Sequence, residues 1–317
     1  MRLLKTQVIC LANQIGGCGK TSSAVSMGAA FATLGYSVCL VDADPLCNLS
    51  MSFGINCDNL YREGKCTLAD AFLKKKPAVE IKQDFEGRFP ALLSLVPGNH
   101  GLSSSSVKLE AQLQGLIAGN EISSMDADDH RNEHRLRLRK SIESLRGVYD
   151  IVLIDTAPNL DFVMTAALVA SDWFIIPVFP SGYDLSGLEL LLRTVERVRA
   201  RFNPELRLAG VLLGNYDRNT KLDCQIHDLL KKQFTEQSVF QTTIGRSVRY
   251  REATFGMVTV FEMPEAAPQA EQYLALVKEM INRGAKGIVG QTANPLPSVA
   301  DLSRLAAQEE VQGVVNG

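Results

Sequence analysis

After the apolar run Gln7 to Ala12, and leading into the Ala-rich stretch Thr21 to Leu34, come Gln14, Ile15, Gly16, Gly17, Cys18, Gly19, Lys20, Thr21 and Ser22. Glycines at this density let successive backbone N–H groups turn inward around phosphate oxygens, where a side chain would obstruct them. A helix starting at the end of such a loop adds free N–H groups and the positive end of its dipole. Lys20 can neutralise β- and γ-phosphate charge, and the Thr21 hydroxyl can ligate Mg²⁺. The strict pattern G-x-x-x-x-G-K-[ST] is not met, because Gln14 stands where its first glycine belongs. Two acidic run ends accompany the loop. Asp155 follows Ile151 to Ile154, where a carboxylate can hold Mg²⁺ through water. Asp42 and Asp44 close the run Val38 to Val41, placing acids suited to orienting an attacking water or assisting the metal.

These residues need elements to position them. The apolar runs Gln7 to Ala12, Val38 to Val41, Ile151 to Ile154, Trp173 to Val178 and Leu208 to Leu213 read as strands. Helical stretches alternate with them: Thr21 to Leu34 ending at Gly35, Leu185 to Arg201 with apolar residues at 188, 191, 192, 195 and 198, and Gln269 to Arg283. Continuous apolar strands separated by amphipathic helices predict a mostly parallel, twisted α/β sheet with helices on both faces; the phosphate loop after the first strand makes it P-loop NTPase-like. Ligands of such sheets bind at the carboxyl ends of the strands, where the loop and the three acids fall. The expected organisation is one domain over residues 1–285, with a polar, partly mobile surface insertion at about 102–135. A tail over 286–317 contains a short helical candidate from Val299 to Val311.

The 317 residues carry 33 Lys and Arg against 35 Asp and Glu, with 46% hydrophobic side chains. That is ordinary globular composition, not that of a disordered chain. No apolar run reaches the roughly 18 residues of a membrane span, and the N-terminal segment lacks a secretory pattern, so a cytoplasmic location is expected. The net charge of −2 gives no global attraction to nucleic acid, leaving only a local basic patch to supply it. The seven cysteines show no C-x-x-C spacing, and Cys10 and Cys39 read as small buried hydrophobes. For Cys18 the backbone matters more than the thiol.

With the loop Gly16 to Thr21, the motif Val41-Asp42-Ala43-Asp44-Pro45 with Asn48, and Tyr149-Asp150 leading to Asp155-Thr156-Ala157-Pro158, the chain resembles the ParA-type partition ATPases. These belong to the deviant-Walker group that also holds MinD-like and nitrogenase-iron-protein-like members. Asn215 to Arg218, and Ile244 to Arg249 with Glu252, Ala253 and Gly256, resemble the ParA branch in particular. The similarity spans about residues 6 to 283. It implies an ATPase using ATP and Mg²⁺, dimeric with ATP, binding DNA nonspecifically, and stimulated to hydrolyse by a ParB-like protein or cargo adaptor. Its role would be plasmid or chromosome segregation, with nucleoid association in the ATP state.

By the same resemblance, Lys20 and Asp44 are the catalytic candidates, and Thr21 and Asp155 those for the metal; Asp42 joins the metal candidates as a strand-end carboxylate beside the loop. Gly16, Gly17, Cys18, Gly19, Lys20, Thr21 and Ser22 would bind the phosphates, and Asn215 the adenine. Arg249 matches a DNA-contacting position, and Arg218, Lys221, Arg246 and Arg251 extend a candidate DNA-binding patch. Scattered solvated arginines are the bland alternative.

One departure stands out. Relatives carry a lysine immediately before the first glycine, reaching across the dimer, and here that residue is Ile15. No Lys or Arg occurs from 147 to 192 to replace it, and Leu46 stands where a polar residue is usual. Slow, differently controlled hydrolysis is therefore expected. A cargo-positioning ATPase for an assembly such as the carboxysome, or a nucleotide-binding regulator with little turnover, are the alternatives. Stable membrane association is not expected, because the Val299 to Val311 candidate sets Asp301, Glu309 and Glu310 against Arg304 alone.

Overall fold

The computed structural model describes residues 5–283 apart from 120, 122, 124–125, 160–161, 181–184 and 235–236. Its elements, in order, begin with β1 (Gln7–Leu11), α1 (Lys20–Thr33), β2 (Val38–Ala43), α2 (Asn48–Ser52), α3 (Cys57–Arg62) and α4 (Leu68–Leu73). Next come β3 (Gln83–Asp84), β4 (Leu93–Val96), α5 (Ser105–Ala118), α6 (Ala127–Glu143), β5 (Ile151–Thr156) and α7 (Phe162–Ala170). The chain continues through β6 (Trp173–Val178), α8 (Leu185–Arg201), β7 (Arg207–Leu213), α9 (Lys221–Phe234), α10 (Arg249–Phe255) and α11 (Ala267–Arg283).

The seven strands form one sheet in the order β3-β4-β2-β5-β1-β6-β7. Every neighbouring pair is parallel except the short edge strand β3, which runs antiparallel to β4. The expected mostly parallel sheet is thus the observed one. Side chains alternate between its faces because successive Cβ atoms of a strand point oppositely. Val8, Cys10, Val152 and Ile154 enter a core under α4 to α9, while Ile9, Leu11, Ile151 and Leu153 enter one under α1 to α3 and α11. Such two-faced burial explains why these strands read as unbroken apolar runs. Cys10 and Cys39 are both fully buried, as small hydrophobes should be.

Most of the stretch 102–135 is α5 and the first half of α6, largely on the surface, with Leu109, Leu113 and His134 buried. Beyond it, α6 exposes one charged face while its other face packs on α7. Strands β3 and β4 and helices α2 to α4, α9 and α10 had no clear counterpart in the pattern. β4 is only four residues long and contains the buried Ser94, which accepts a hydrogen bond from the Tyr149 hydroxyl at 2.7 Å. The tail and its helical candidate Val299 to Val311 lie outside the described residues. Among the described residues no helix is long and apolar enough to cross a membrane.

Candidate functional site

The carboxyl ends of β1, β2 and β5 meet where the glycine loop leaves β1. Pairing sets Asp155 opposite Leu11 on one side and Asp42 on the other. The loop turns through left-handed backbone at Gly17 (φ 72°) and Gly19 (φ 87°). Gly19 is the N-cap of α1 and has no side-chain cap, so the first N–H groups of the helix stay available to an anion. A Cβ at Gly19 would also strike the Phe179 ring at 2.6 Å, and one at Gly214 would meet the same ring at 2.7 Å. Phe179 is thus wedged between the loop and the end of β7.

Asn13 anchors the loop: its amide donates to the Pro177 carbonyl at 2.6 Å, and its side-chain oxygen accepts from the Ile15 N–H at 3.0 Å. The buried Lys20 ammonium lies across the loop, donating to the carbonyls of Asn13 (2.8 Å) and Ile15 (3.0 Å). It also approaches the Cys18 sulfur at 3.6 Å. Burial nevertheless raises the Cys18 pKa, Lys20 opposing that rise, so the thiol stays neutral.

The acids divide. Asp42 is fully buried, and its Oδ2 accepts from the Ser50 N–H (2.8 Å) and the Ser50 hydroxyl (2.6 Å), its Oδ1 from the Asp44 N–H (3.2 Å). Burial pushes its pKa up to about 6 against the pull of those bonds. Asp44 is buried with its Oδ1 accepting from the Leu46 N–H at 2.9 Å. Asp155 is different: its buried carboxylate oxygens have no hydrogen bond of good geometry, and the Thr21 hydroxyl is the side chain placed near enough to favour its charged form. Burial first, and then the Asp42 charge, raise its pKa to about 8, while Thr21 and Lys20 pull the other way. A carboxylate in that position calls for a cation or an ordered water. Among the described residues no three His, Cys, Asp or Glu side chains converge as a cage. Mg²⁺ asks for less, since it is commonly held by one or two protein groups together with phosphates and water. Thr21 and Asp155 fit that requirement, whereas Asp42 is already engaged in holding Ser50.

Beside the loop opens a cavity of about 530 Å³, bounded by Gly17, Gly19, Ser22, Asn215, Gly245 and Tyr250. Asn215 lies just past β7 in left-handed backbone (φ 51°). A partly apolar recess of this size next to an anion-binding loop has the form of a nucleoside pocket.

A family model described as an AAA domain matches residues 6–208. The chain is 34% identical over 283 residues to the chromosome partitioning protein ParA of Caulobacter vibrioides, covering 87% of this chain and 94% of that one. It is 30% identical over 278 residues to the sporulation initiation inhibitor protein Soj of Bacillus subtilis, covering 88% and 99%. The chain belongs to the ParA/Soj family of ATPases. Among solved structures, the ATP complex of a substituted form of Cyanothece McdA superposes with a TM-score of 0.69 at 18% identity, over 86% of this chain and 96% of that one. Cobyrinic acid a,c-diamide synthase of Mycobacterium smegmatis, with an ATP analogue and magnesium, gives 0.68 at 24%, over 90% and 100%. These last two speak for the fold.

In this ParA-family chain the five basic candidates sit around one end of the sheet. The Tyr216 N–H donates to the Ile244 carbonyl at 3.0 Å, and residues 216 and 245 form a parallel bridge, so the two basic segments lie side by side. Arg218, Lys221, Arg246 and Arg251 are exposed. Arg249 is half-buried and pairs with Glu252 at 2.7 Å. Arg246 and Arg251 also border the cavity beside the loop, a placement their spacing in the chain did not reveal. Ile15 is half-buried, and Leu46 is 60% exposed beside Asp44. Asn13, Ser50 and Phe179 were missed. Asn13 adjoins the loop and could have been flagged, whereas Ser50 and Phe179 act through folding alone.

Proposed function

We propose that this chain is a partition ATPase that dimerises with ATP, binds DNA nonspecifically in that state, and is stimulated to hydrolyse by a ParB-like or cargo-adaptor protein. It would act in the cytoplasm, associating with the nucleoid when ATP is bound, to segregate plasmid or chromosomal DNA. The observation that carries this reading is the buried Asp155 facing Thr21 at the mouth of the glycine loop, with the nucleoside-sized cavity alongside. In this reading Gly16, Gly17, Cys18 and Gly19 present N–H groups to phosphate, and Lys20 exchanges its carbonyl partners for phosphate oxygens. Thr21 and Asp155 would hold Mg²⁺, and Asp42 keeps the Asp44 turn in shape. Bound Mg²⁺ neutralises developing phosphate charge and lowers the Asp155 pKa. Asp44 orients the water, Asn215 contacts the base, and Arg218, Lys221, Arg246, Arg249 and Arg251 meet DNA phosphates.

Ile15 favours a second reading, a nucleotide-dependent regulator with little turnover. An isoleucine cannot neutralise charge, and losing one such donor commonly costs about 10²–10³ in rate. Sedimentation and duplex-DNA binding with ATP, a non-hydrolysable analogue and ADP test the main proposal. Dimers that hold arbitrary duplex DNA are expected with ATP and its analogue only. Monomers in all three states, or equal DNA binding with ADP, would remove it.

A further inference from the structure

On the opposite face of the sheet from α1, helices α5, α6, α7 and α8 enclose a second cavity, of about 410 Å³. Arg131, Arg135, Arg197 and Arg201 line it together with Phe162 and Phe202. Among the described residues the only carboxylate on its wall, Glu110, is bound by Arg131 at 2.8 Å. No carboxylate among the described residues pairs with the other three arginines. Arg135 reaches the Arg131 carbonyl (3.4 Å) and lies 5.9 Å from the Phe202 ring centre, and Arg197 donates to the Thr194 hydroxyl at 3.0 Å. The buried His134, also on the wall, is kept neutral, since burial foremost and then Arg137 lower its pKa to about 4. Among the described residues nothing inside the recess balances three guanidinium groups that converge from two helices.

We infer that this cavity is a second ligand site, for a small phosphorylated molecule of the nucleotide class, separate from the glycine-loop site. Guanidinium forks match phosphate oxyanions bidentately and hold them more specifically than a point charge would. Phe202, which already lies beneath Arg135, and Phe162, packed on Phe72, give the recess an apolar wall against which a base can lie. The volume lies within the range of small-molecule pockets, and the recess admits a small ligand between its helices in a way a flat basic patch does not. Phe162 and Thr165 put α7 on the wall, and α7 follows β5, the strand that carries Asp155. A ligand here therefore touches the helix leading out of the metal-site strand. That coupling, unlike the site itself, rests on the ATPase reading above.

Adenosine 3′,5′-bisphosphate is a suitable probe because its two phosphates do not mimic a polyphosphate chain. The full-length protein is first saturated with a non-hydrolysable ATP analogue and Mg²⁺, then titrated calorimetrically at constant ionic strength. One further site per chain is expected. The exposed pair Arg197→Glu and Arg201→Glu should weaken it roughly tenfold or more, the scale of one lost charged hydrogen bond. Analogue affinity and melting temperature should stay as in the parent. No additional site, or one untouched by the double substitution, overturns the inference. So does a result in which short duplex DNA or poly-glutamate binding depends on these arginines while the bisphosphate stays silent. ATP turnover should also change with the probe in the parent and not in the double variant. Binding without that change overturns the coupling alone.

Discussion

Both oxygens of Asp155 are buried without a hydrogen bond of good geometry, and its pKa is raised to about 8 by burial and the neighbouring Asp42 charge. Asp42, with its own pKa raised to about 6, adds to the effect in the same direction. A carboxyl whose folded pKa exceeds its unfolded value binds more protons folded than unfolded between the two. Stability therefore falls as pH rises through that window, here from about 4 to 8 for Asp155. Nucleotide-free protein should lose melting temperature across this range, and Asp155→Asn should flatten the loss while abolishing Mg²⁺-dependent ATP binding. Calorimetry at pH 4, 6 and 8 checks it; an equally steep slope in the variant would mean that Asp155 is ionised in the folded state. A second residue-scale prediction concerns Ile15. If the missing charge limits hydrolysis, Ile15→Lys should raise steady-state ATP turnover by about 10²-fold. An unchanged rate would place the limit in another step.

Elements hold these residues through contacts distant in the chain. The Ser50 hydroxyl of α2 donates to Asp42 at 2.6 Å and accepts from the Gly98 N–H at 3.1 Å, just past β4. Ser50→Ala leaves that buried N–H unpaired and removes one bond from Asp42. It should cost about 1–3 kcal/mol in urea unfolding. A loss below about 0.5 kcal/mol would show that the turn relaxes or admits water. The start of α1 is fixed by a steric constraint: Gly19 has φ 87°, and its missing Cβ would lie 2.6 Å from the Phe179 ring. Left-handed backbone alone costs a non-glycine residue roughly 1–2 kcal/mol. Gly19→Ala should lower stability by more than that, and Phe179→Ala in the same chain should recover the excess. Full additivity of the two losses would rule out the clash.

At the scale of the molecule, the net charge of −2 hides local differences. Acids stand at the carboxyl ends of β2 and β5, while Arg218, Lys221, Arg246, Arg249 and Arg251 lie in the adjoining segments 216–221 and 246–251. If those segments meet DNA, affinity of the ATP-bound form should fall linearly in log K against log salt. The slope reports the number of phosphates neutralised. Replacing Arg218 and Lys221 with Ala should reduce it by roughly two, measured by fluorescence anisotropy on arbitrary duplex sequences. An unchanged slope would place the contact elsewhere.

The central strands, α1, α8, α11 and the glycine loop were legible because each is local. A strand buried on both faces must be apolar along its length, and a phosphate loop needs its glycines consecutive in the chain. The helices within 102–135 were not legible, because α6 is polar on one side and only its packing on α7 makes the other side core. What the chain alone determined was the chemistry available: an anion loop, a lysine, a hydroxyl and strand-end acids. Tertiary structure decided how that chemistry is divided. Register between β2 and β5 set Asp42 beside Asp155, yet Ser50 tethers only the first, leaving the second buried without such a bond. Packing of α5 to α8 likewise gathered arginines from positions 131 to 201 around one recess. Spacing along a chain cannot encode such convergence, because long-range contacts depend on which faces meet across the folded sheet.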